Sequence, residues 1–108
     1  MAAPFSQELG KALAGSFSAT GQSAIFWPAA DRTFNATLYG TFSASVQLER
    51  TFDGGTNWHP LTAAGTQLYA WTAAASETCE EAEEGVGYRL NCTAYSSGTV
   101  NYRLSQSQ

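Results

Sequence analysis

Residues 34–52 alternate apolar and polar side chains, and this period of two constrains the fold more than any other feature of the chain. The even positions are apolar except Gly40 and Arg50, and the odd positions are nearly all polar. Successive side chains of a β-strand point to opposite faces, so the alternation predicts strands with one buried face. Val46 and Leu48 are therefore expected in the core. Gly40 either kinks one long strand or makes a very short connection.

Shorter strand-like segments lie elsewhere in the chain, at residues 58–62, 67–72, 87–95 and 99–104, and the last two of them alternate again. Turn signals such as Ser96-Ser97-Gly98 separate the segments about every ten residues. Seven or eight short strands with this spacing predict an all-β protein with antiparallel sheets, either a sandwich or a barrel. We expect a single antiparallel β-sandwich that spans residues 16–108.

Residues 1–15 lack this pattern, and we expect them to form an N-terminal arm or a short helix. Phe5, Leu9 and Leu13 are apolar residues in the arm and lie outside the alternating strands. Apolar side chains without a place in the domain core are often buried on a neighbouring subunit. These three residues are therefore candidate contacts with a partner protein.

The surface of the folded chain is expected to be polar but weakly charged. Charged residues make up 13 % of the chain, against an ordinary share of about 25 %. The net charge is −4 and the five basic residues are scattered, so neither a phosphate-binding stripe nor a nucleic-acid partner is expected. Such a surface suits a protein that stays packed against another one.

The sequence predicts neither a membrane partner nor export. No apolar run approaches the ~18 residues of a membrane span. The first residues also lack the basic and apolar regions of a signal peptide. We therefore expect a chain that is made in the cytoplasm.

Five of the nine acidic residues fall within residues 77–84. A solvated loop or edge strand is the favoured interpretation, and the alternatives are a basic partner surface or a calcium site. Cys79 and Cys92 are the only cysteines. They either form a disulfide or remain free, and free thiols are favoured for a cytoplasmic product.

No residues in the sequence form a catalytic constellation. The single histidine, His59, has no local relation to a cysteine or to a Ser–His–Asp arrangement. The spacings CxxC and HxxxH do not occur, so no transition-metal site is predicted. We expect no catalytic residue, no bound metal and no cofactor.

Residues 51–58, with the sequence TFDGGTNW, resemble the Asp-box motif, Ser/Thr-x-Asp-x-Gly-x-x-Trp, of sialidase propellers and several secreted β-proteins. The resemblance implies a tight hairpin turn and no activity. In such a turn Asp53 accepts hydrogen bonds from the backbone, Gly54 and Gly55 permit positive φ, and Trp58 packs back on the hairpin.

The aromatic residues offer one further candidate site. Tyr69 and Trp71 are two positions apart in a strand-like segment, so their side chains are expected on the same face. An exposed aromatic pair on a β-sheet is a possible sugar platform, and the alternative is packing in the core or an interface.

Residues 87–98, GYRLNCTAYSSG, are similar to the late strands of immunoglobulin and fibronectin type III sandwiches. With the FDGGTNW hairpin, the low charge and the ending SGTVNYRLS, the chain resembles small β-proteins of tailed bacteriophage particles, above all capsid decoration (cement) proteins. The resemblance implies a jelly-roll-like or immunoglobulin-like virion protein on the outer surface of the viral capsid. It also implies that the chain bridges subunits of the major capsid protein as a homo-oligomer. The alternatives are a tail or fibre-adaptor protein of such a particle and a carbohydrate-binding module.

Overall fold

The computed structural model describes residues 9–106, and every structural statement below concerns that part of the chain. Within it the chain forms eleven strands and no helix. The strands are β1 (Leu13–Phe17), β2 (Gly21–Gln22), β3 (Thr33–Tyr39), β4 (Phe42–Thr51), β5 (His59–Pro60), β6 (Thr62–Ala63), β7 (Thr66–Gln67), β8 (Ala70–Trp71), β9 (Ala75–Glu80), β10 (Gly87–Gly98) and β11 (Val100–Gln106).

The strands form two main sheets, and all pairs are antiparallel. The first sheet has the order β1-β11-β3-β9. The second has the order β2-β10-β4-β5, with β8 also paired to β4, and β6 and β7 form a small separate hairpin. The prediction of an all-β antiparallel sandwich is confirmed.

Two long chain segments run through both sheets as one bent ribbon. In the first sheet β3 pairs with β11, and in the second sheet their continuations β4 and β10 pair with each other. The segments change sheet at adjacent corners, where Gly40 and Gly98 have φ angles of 110° and 85°. Strands that switch sheets at such bends are a known way to close the corner of a sandwich.

This corner decides two expectations from the sequence. Gly40, together with Thr41, makes a very short connection between the sheets and does not kink a single strand. The turn predicted at Ser96-Ser97-Gly98 is wrong, because β10 continues through Gly98, which pairs with Phe42 of β4. Only Thr99 separates β10 from β11.

The even positions of the long segment fill the space between the sheets. Val46 and Leu48 are 1 % and 0 % exposed, as predicted. The apolar core that surrounds them includes Phe26, Phe34, Ala36, Leu38, Val86, Tyr88, Leu90, Val100 and Leu104. All of them except Phe26 and Val86 lie at alternate positions of β3, β4, β10 and β11, so most of the core follows from the period of two.

The simple alternation ends after Leu48. Glu49 and Thr51 are buried, whereas Phe52, an apolar even position, is 50 % exposed. The outer face of the second sheet is covered here: a Cβ atom at Gly87, the partner of Thr51, would lie 2.7 Å from Ile25. Both faces of β4 are thus covered at this end, and burial no longer follows polarity.

The sheet begins three residues before the predicted domain boundary, because β1 starts at Leu13. Leu13 pairs with Leu104 and packs against the core, so it does not lie outside the strands as expected. Leu9 is half-buried in a turn just before β1. Phe5 lies outside the described residues. An arm that precedes the sheet is therefore limited to residues 1–12.

The two cysteines are buried, free and on strands of different sheets, Cys79 on β9 and Cys92 on β10. The acidic run is divided between three settings. Glu77 and Glu80 lie on β9, an edge strand, in line with the favoured interpretation. Glu81 is buried, and Glu83 and Glu84 are exposed in the following loop.

Candidate functional site

The turn after β4 is organised around the Asp53 carboxylate. Its Oδ1 accepts the backbone N–H groups of Thr56 and Asn57 at 3.1 and 2.9 Å, and its Oδ2 accepts the Asn57 amide at 2.7 Å. The Thr51 hydroxyl also donates to Oδ1, at 2.8 Å. Hydrogen bonds from Asn57, with those from Thr51 and Thr56, lower the pKa of Asp53 to about 2.

The other predicted features of this turn are present as well. Gly54 and Gly55 have φ angles of 75° and 106°. The Trp58 indole N–H donates to the Gly55 carbonyl at 3.0 Å, which folds the ring back on the turn. The return strand β5 pairs His59 with Arg50. His59 is exposed beside the Phe52 ring, at a centroid distance of 6.0 Å.

A polar network covers the outer face of the second sheet next to the turn. The buried Glu49 carboxylate accepts Arg89 Nε at 2.8 Å, Asn91 Nδ2 at 2.9 Å and Gln47 Nε2 at 2.6 Å. Burial raises the pKa of Glu49, but the hydrogen bonds from Asn91, Gln47 and Arg89 outweigh it, and the pKa lies below its ordinary value. The Arg89 guanidinium stacks on Trp58 at 4.2 Å.

A second buried carboxylate, Glu81, fixes the loop after β9. Glu81 Oε1 accepts Arg50 Nη1 and the Tyr88 hydroxyl, both at 2.8 Å. Burial raises the pKa of Glu81, but hydrogen bonds from Tyr88, the Glu83 N–H and Arg50 outweigh it and lower the pKa. Burial, together with Glu81, raises the pKa of Tyr88. Nothing in the sequence indicates that Glu81 is buried while the other four residues of the acidic run are exposed.

Tyr69 and Trp71 are close together, with ring centroids 6.1 Å apart. Their planes meet at 58°, and the Tyr69 hydroxyl donates to the Thr78 carbonyl on β9 at 3.1 Å. Both rings are half-buried and pack against the core. The pair predicted as a sugar platform therefore does not form a flat shared surface.

Two adjoining clefts of about 240 and 210 Å³ lie along the outer side of β4, beside Trp71. We call them together the trough. They share Ser45 and Thr72, and no charged side chain lines either one. Sequence reasoning missed the trough, although its β4 residues Ser43, Ser45 and Gln47 are polar odd positions of the alternating segment.

The outer face of the first sheet, which we call the polar face, has twelve outward positions, all exposed or half-buried. Nine carry the short side chains of Ala, Ser, Thr or Asn, and only two are charged. The positions are Ala14, Ser16, Thr33, Asn35, Thr37, Tyr39, Ser76, Thr78, Glu80, Asn101, Arg103 and Ser105. The largest apolar group on this face is Tyr39, which is 52 % exposed.

Comparisons with protein-family models, with curated proteins and with solved structures find no match to this chain. Among residues 9–106, no three His, Cys, Asp or Glu side chains are grouped so that they could hold a metal ion. The same residues form no helix long and apolar enough to cross a membrane. The polar face and the trough are the two candidate functional surfaces.

Proposed function

We propose that the chain is a structural protein of a bacteriophage virion, a capsid decoration protein that docks its polar face on neighbouring subunits of the major capsid protein. The polar face is the observation that carries the proposal. The likeness of the sequence to small β-proteins of tailed-phage particles supports the choice of partner. The location that follows is the outer capsid surface.

The composition of the polar face keeps the free-energy cost of docking low. Short side chains lose little rotamer entropy when they are immobilised, whereas long charged ones lose about 1.5–2 kcal/mol each. The face carries only Glu80 and Arg103 as charges, so few ions must be desolvated. Within the face Thr37 already bonds Ser76 at 2.8 Å, and Arg103 bonds Ser105 at 3.3 Å.

Tyr39 and Arg103 are the anchors that we expect to dominate binding. Tyr and Arg are enriched among interface residues whose truncation costs about 2 kcal/mol or more. Arg103 pairs with Thr37, which lies two residues from Tyr39 on β3. The side chains of Tyr39 and Arg103 are therefore diagonal neighbours on one face of the sheet. On a capsid, many weak copies of this contact, assembled as homo-oligomers, become collectively strong.

The test uses particles of the phage that encodes the chain, prepared with and without it and challenged by heat. Particles that lack the protein should assemble but release DNA at a lower temperature, and added wild-type protein should restore them. The Tyr39→Ala/Arg103→Ala double variant should neither bind nor protect. Phe52→Ala truncates an equally exposed aromatic residue outside the polar face. This control variant should bind the particles and protect them from heat.

The opposite results have definite meanings. If particles without the protein resist heat as well as complete ones, decoration is refuted. If the double variant protects fully, docking through the polar face is refuted. A chain that lacks residues 1–12 tests the arm separately: full protection by this chain would refute a role of Phe5 and Leu9 in docking.

A further inference from the structure

The trough is lined by hydroxyl groups that have no partner in the described part of the chain. Five of them face its two clefts, and none makes a hydrogen bond with another group among residues 9–106. These hydroxyls belong to Ser43, Ser45, Thr72, Thr93 and Ser96. The Gln67 carboxamide donates through Nε2 to Gln47 Oε1 at 3.0 Å, which leaves its own oxygen available at the rim.

Two β-bulges place part of this lining. The register of β10 against β4 shifts between Cys92 and Ala94 and again between Tyr95 and Ser97. The extra residue in each case is a trough residue, Thr93 in the first and Ser96 in the second. Bulges re-aim side chains and are over-represented next to functional sites. An uninterrupted ladder would not bring both hydroxyls to the trough.

The residue that precedes β8, Tyr69, has a strained backbone conformation. Tyr69 has a φ of 53°, an uncommon value for a bulky non-glycine residue. Its carbonyl accepts the Leu48 N–H at 2.9 Å and its hydroxyl is bound to Thr78. Strain of this kind persists only where the surroundings enforce it, and it clusters at binding sites. It sets the start of β8, whose residues Ala70 and Trp71 border the trough together with the following Thr72.

We propose that the trough binds a neutral oligosaccharide. Sugar hydroxyls both donate and accept hydrogen bonds, and unpartnered Ser and Thr hydroxyls and a carboxamide oxygen complement them. The five residues from Ser43 to Gln47 span about 13 Å of strand, so the ligand is a short run of sugar units rather than a single ring. Since no charged side chain lines the trough, an uncharged glycan fits it and an acidic one does not.

This inference does not depend on the docking proposal, because the trough and the polar face lie on different sheets. The test is a titration of ¹⁵N-labelled protein with cello-, malto-, xylo-, manno- and chito-hexaose, followed by amide chemical shifts. At least one hexasaccharide should shift the amides of residues 43–47, 72 and 93–96 with a dissociation constant below about 10 mM. An oligogalacturonate of equal length should not bind.

Variants that each remove one hydroxyl group test whether the oligosaccharide binds in the trough or elsewhere on the surface. Thr93→Val and Ser45→Ala should each weaken binding about 3- to 10-fold, as expected for the loss of one hydrogen bond. Thr78→Val, the same change at an exposed strand position of the first sheet, should leave the affinity unchanged. The proposal is overturned if no neutral hexasaccharide binds, if the shifts fall outside the trough, if only the oligogalacturonate binds, or if Thr93→Val binds like wild type.

Discussion

Three carboxylates show how strongly the setting of a single residue decides its role. Asp53 is exposed and organises a turn by accepting nearby N–H groups. Glu49 and Glu81 are buried, and each is neutralised by one arginine and further donors. Removing a partner from such a buried group leaves a charge or a donor unsatisfied, which costs about 1–3 kcal/mol. The Glu49–Arg89 pair therefore ties β4 to β10, and the Glu81–Arg50 pair ties the loop after β9 to β4.

Asp53 gives the first prediction. Its pKa in the folded chain lies near 2, below the ordinary 3.8, so the ionised form favours folding above the ordinary pKa. That contribution is lost as the pH falls through about 2. We expect Asp53→Asn to lose stability at neutral pH and to show a shallower fall of the unfolding free energy in acid. Chemical denaturation across this pH range measures both.

The slope that remains in Asp53→Asn belongs to Glu49 and Glu81, whose pKa values also lie below their ordinary value. Asp31→Asn is the matched control, because Asp31 is exposed and Asn tolerates its φ of 63°. Equal acid slopes in wild type and Asp53→Asn would contradict the role given to the Asp53 hydrogen bonds.

Among the elements, the corner of the ribbon carries the tightest packing. Gly98 has a φ of 85°, and a Cβ atom there would lie 2.2 Å from the Thr41 carbonyl oxygen and 2.7 Å from Phe42 Cα. Gly54 has a similar φ of 75°, with nothing near its missing Cβ. The two glycines therefore differ in packing and not in backbone conformation.

The second prediction uses this pair. Gly54→Ala should cost about 1–2 kcal/mol, the expense of a left-handed conformation alone. Gly98→Ala should cost about 1–3 kcal/mol more, because backbone atoms must also move. Urea denaturation of both variants measures the difference. Equal losses would mean that the two sheets are not held as closely at this corner as the distances indicate.

At the scale of the elements, the sequence predicts which residues form strands and turns better than it predicts which segments pack against them. Local alternation was enough to place Leu48 in the core and to locate the hairpin turn. It could not show that Ile25 covers the outer face of the second sheet next to Thr51, which is why this polar residue is buried. The trough was missed for the same reason, since its hydroxyls come from β4, from β10 and from Thr72 after β8, and only the tertiary pairing brings them together.

For the whole molecule, the bent ribbon makes the two sheets one cooperative unit. Neither half of the ribbon can leave its sheet without disturbing the other, because each strand continues across the corner. The edge strand β9 is different. It pairs only with β3, and its exposed Glu77 and Glu80 oppose pairing with another chain. β9 can therefore open locally while the ribbon stays paired.

The two buried thiols give the third prediction, since Cys79 lies on β9 and Cys92 lies within the ribbon. Burial raises the pKa of both thiols, so neither reacts as a thiolate while folded. The variant Cys92→Ala retains only the Cys79 thiol, and Cys79→Ala retains only the Cys92 thiol. The rate at which a disulfide reagent labels each variant should report a different unfolding event. Cys92 should react with the denaturant dependence of global unfolding, and Cys79 should react faster with a weaker dependence.

Because the thiols lie on different sheets and are not bridged, a reductant should leave the melting temperature of the wild-type chain unchanged. Identical labelling of the two thiols would show that β9 opens only with the whole sandwich, and a drop in melting temperature with the reductant would contradict the free state of the cysteines.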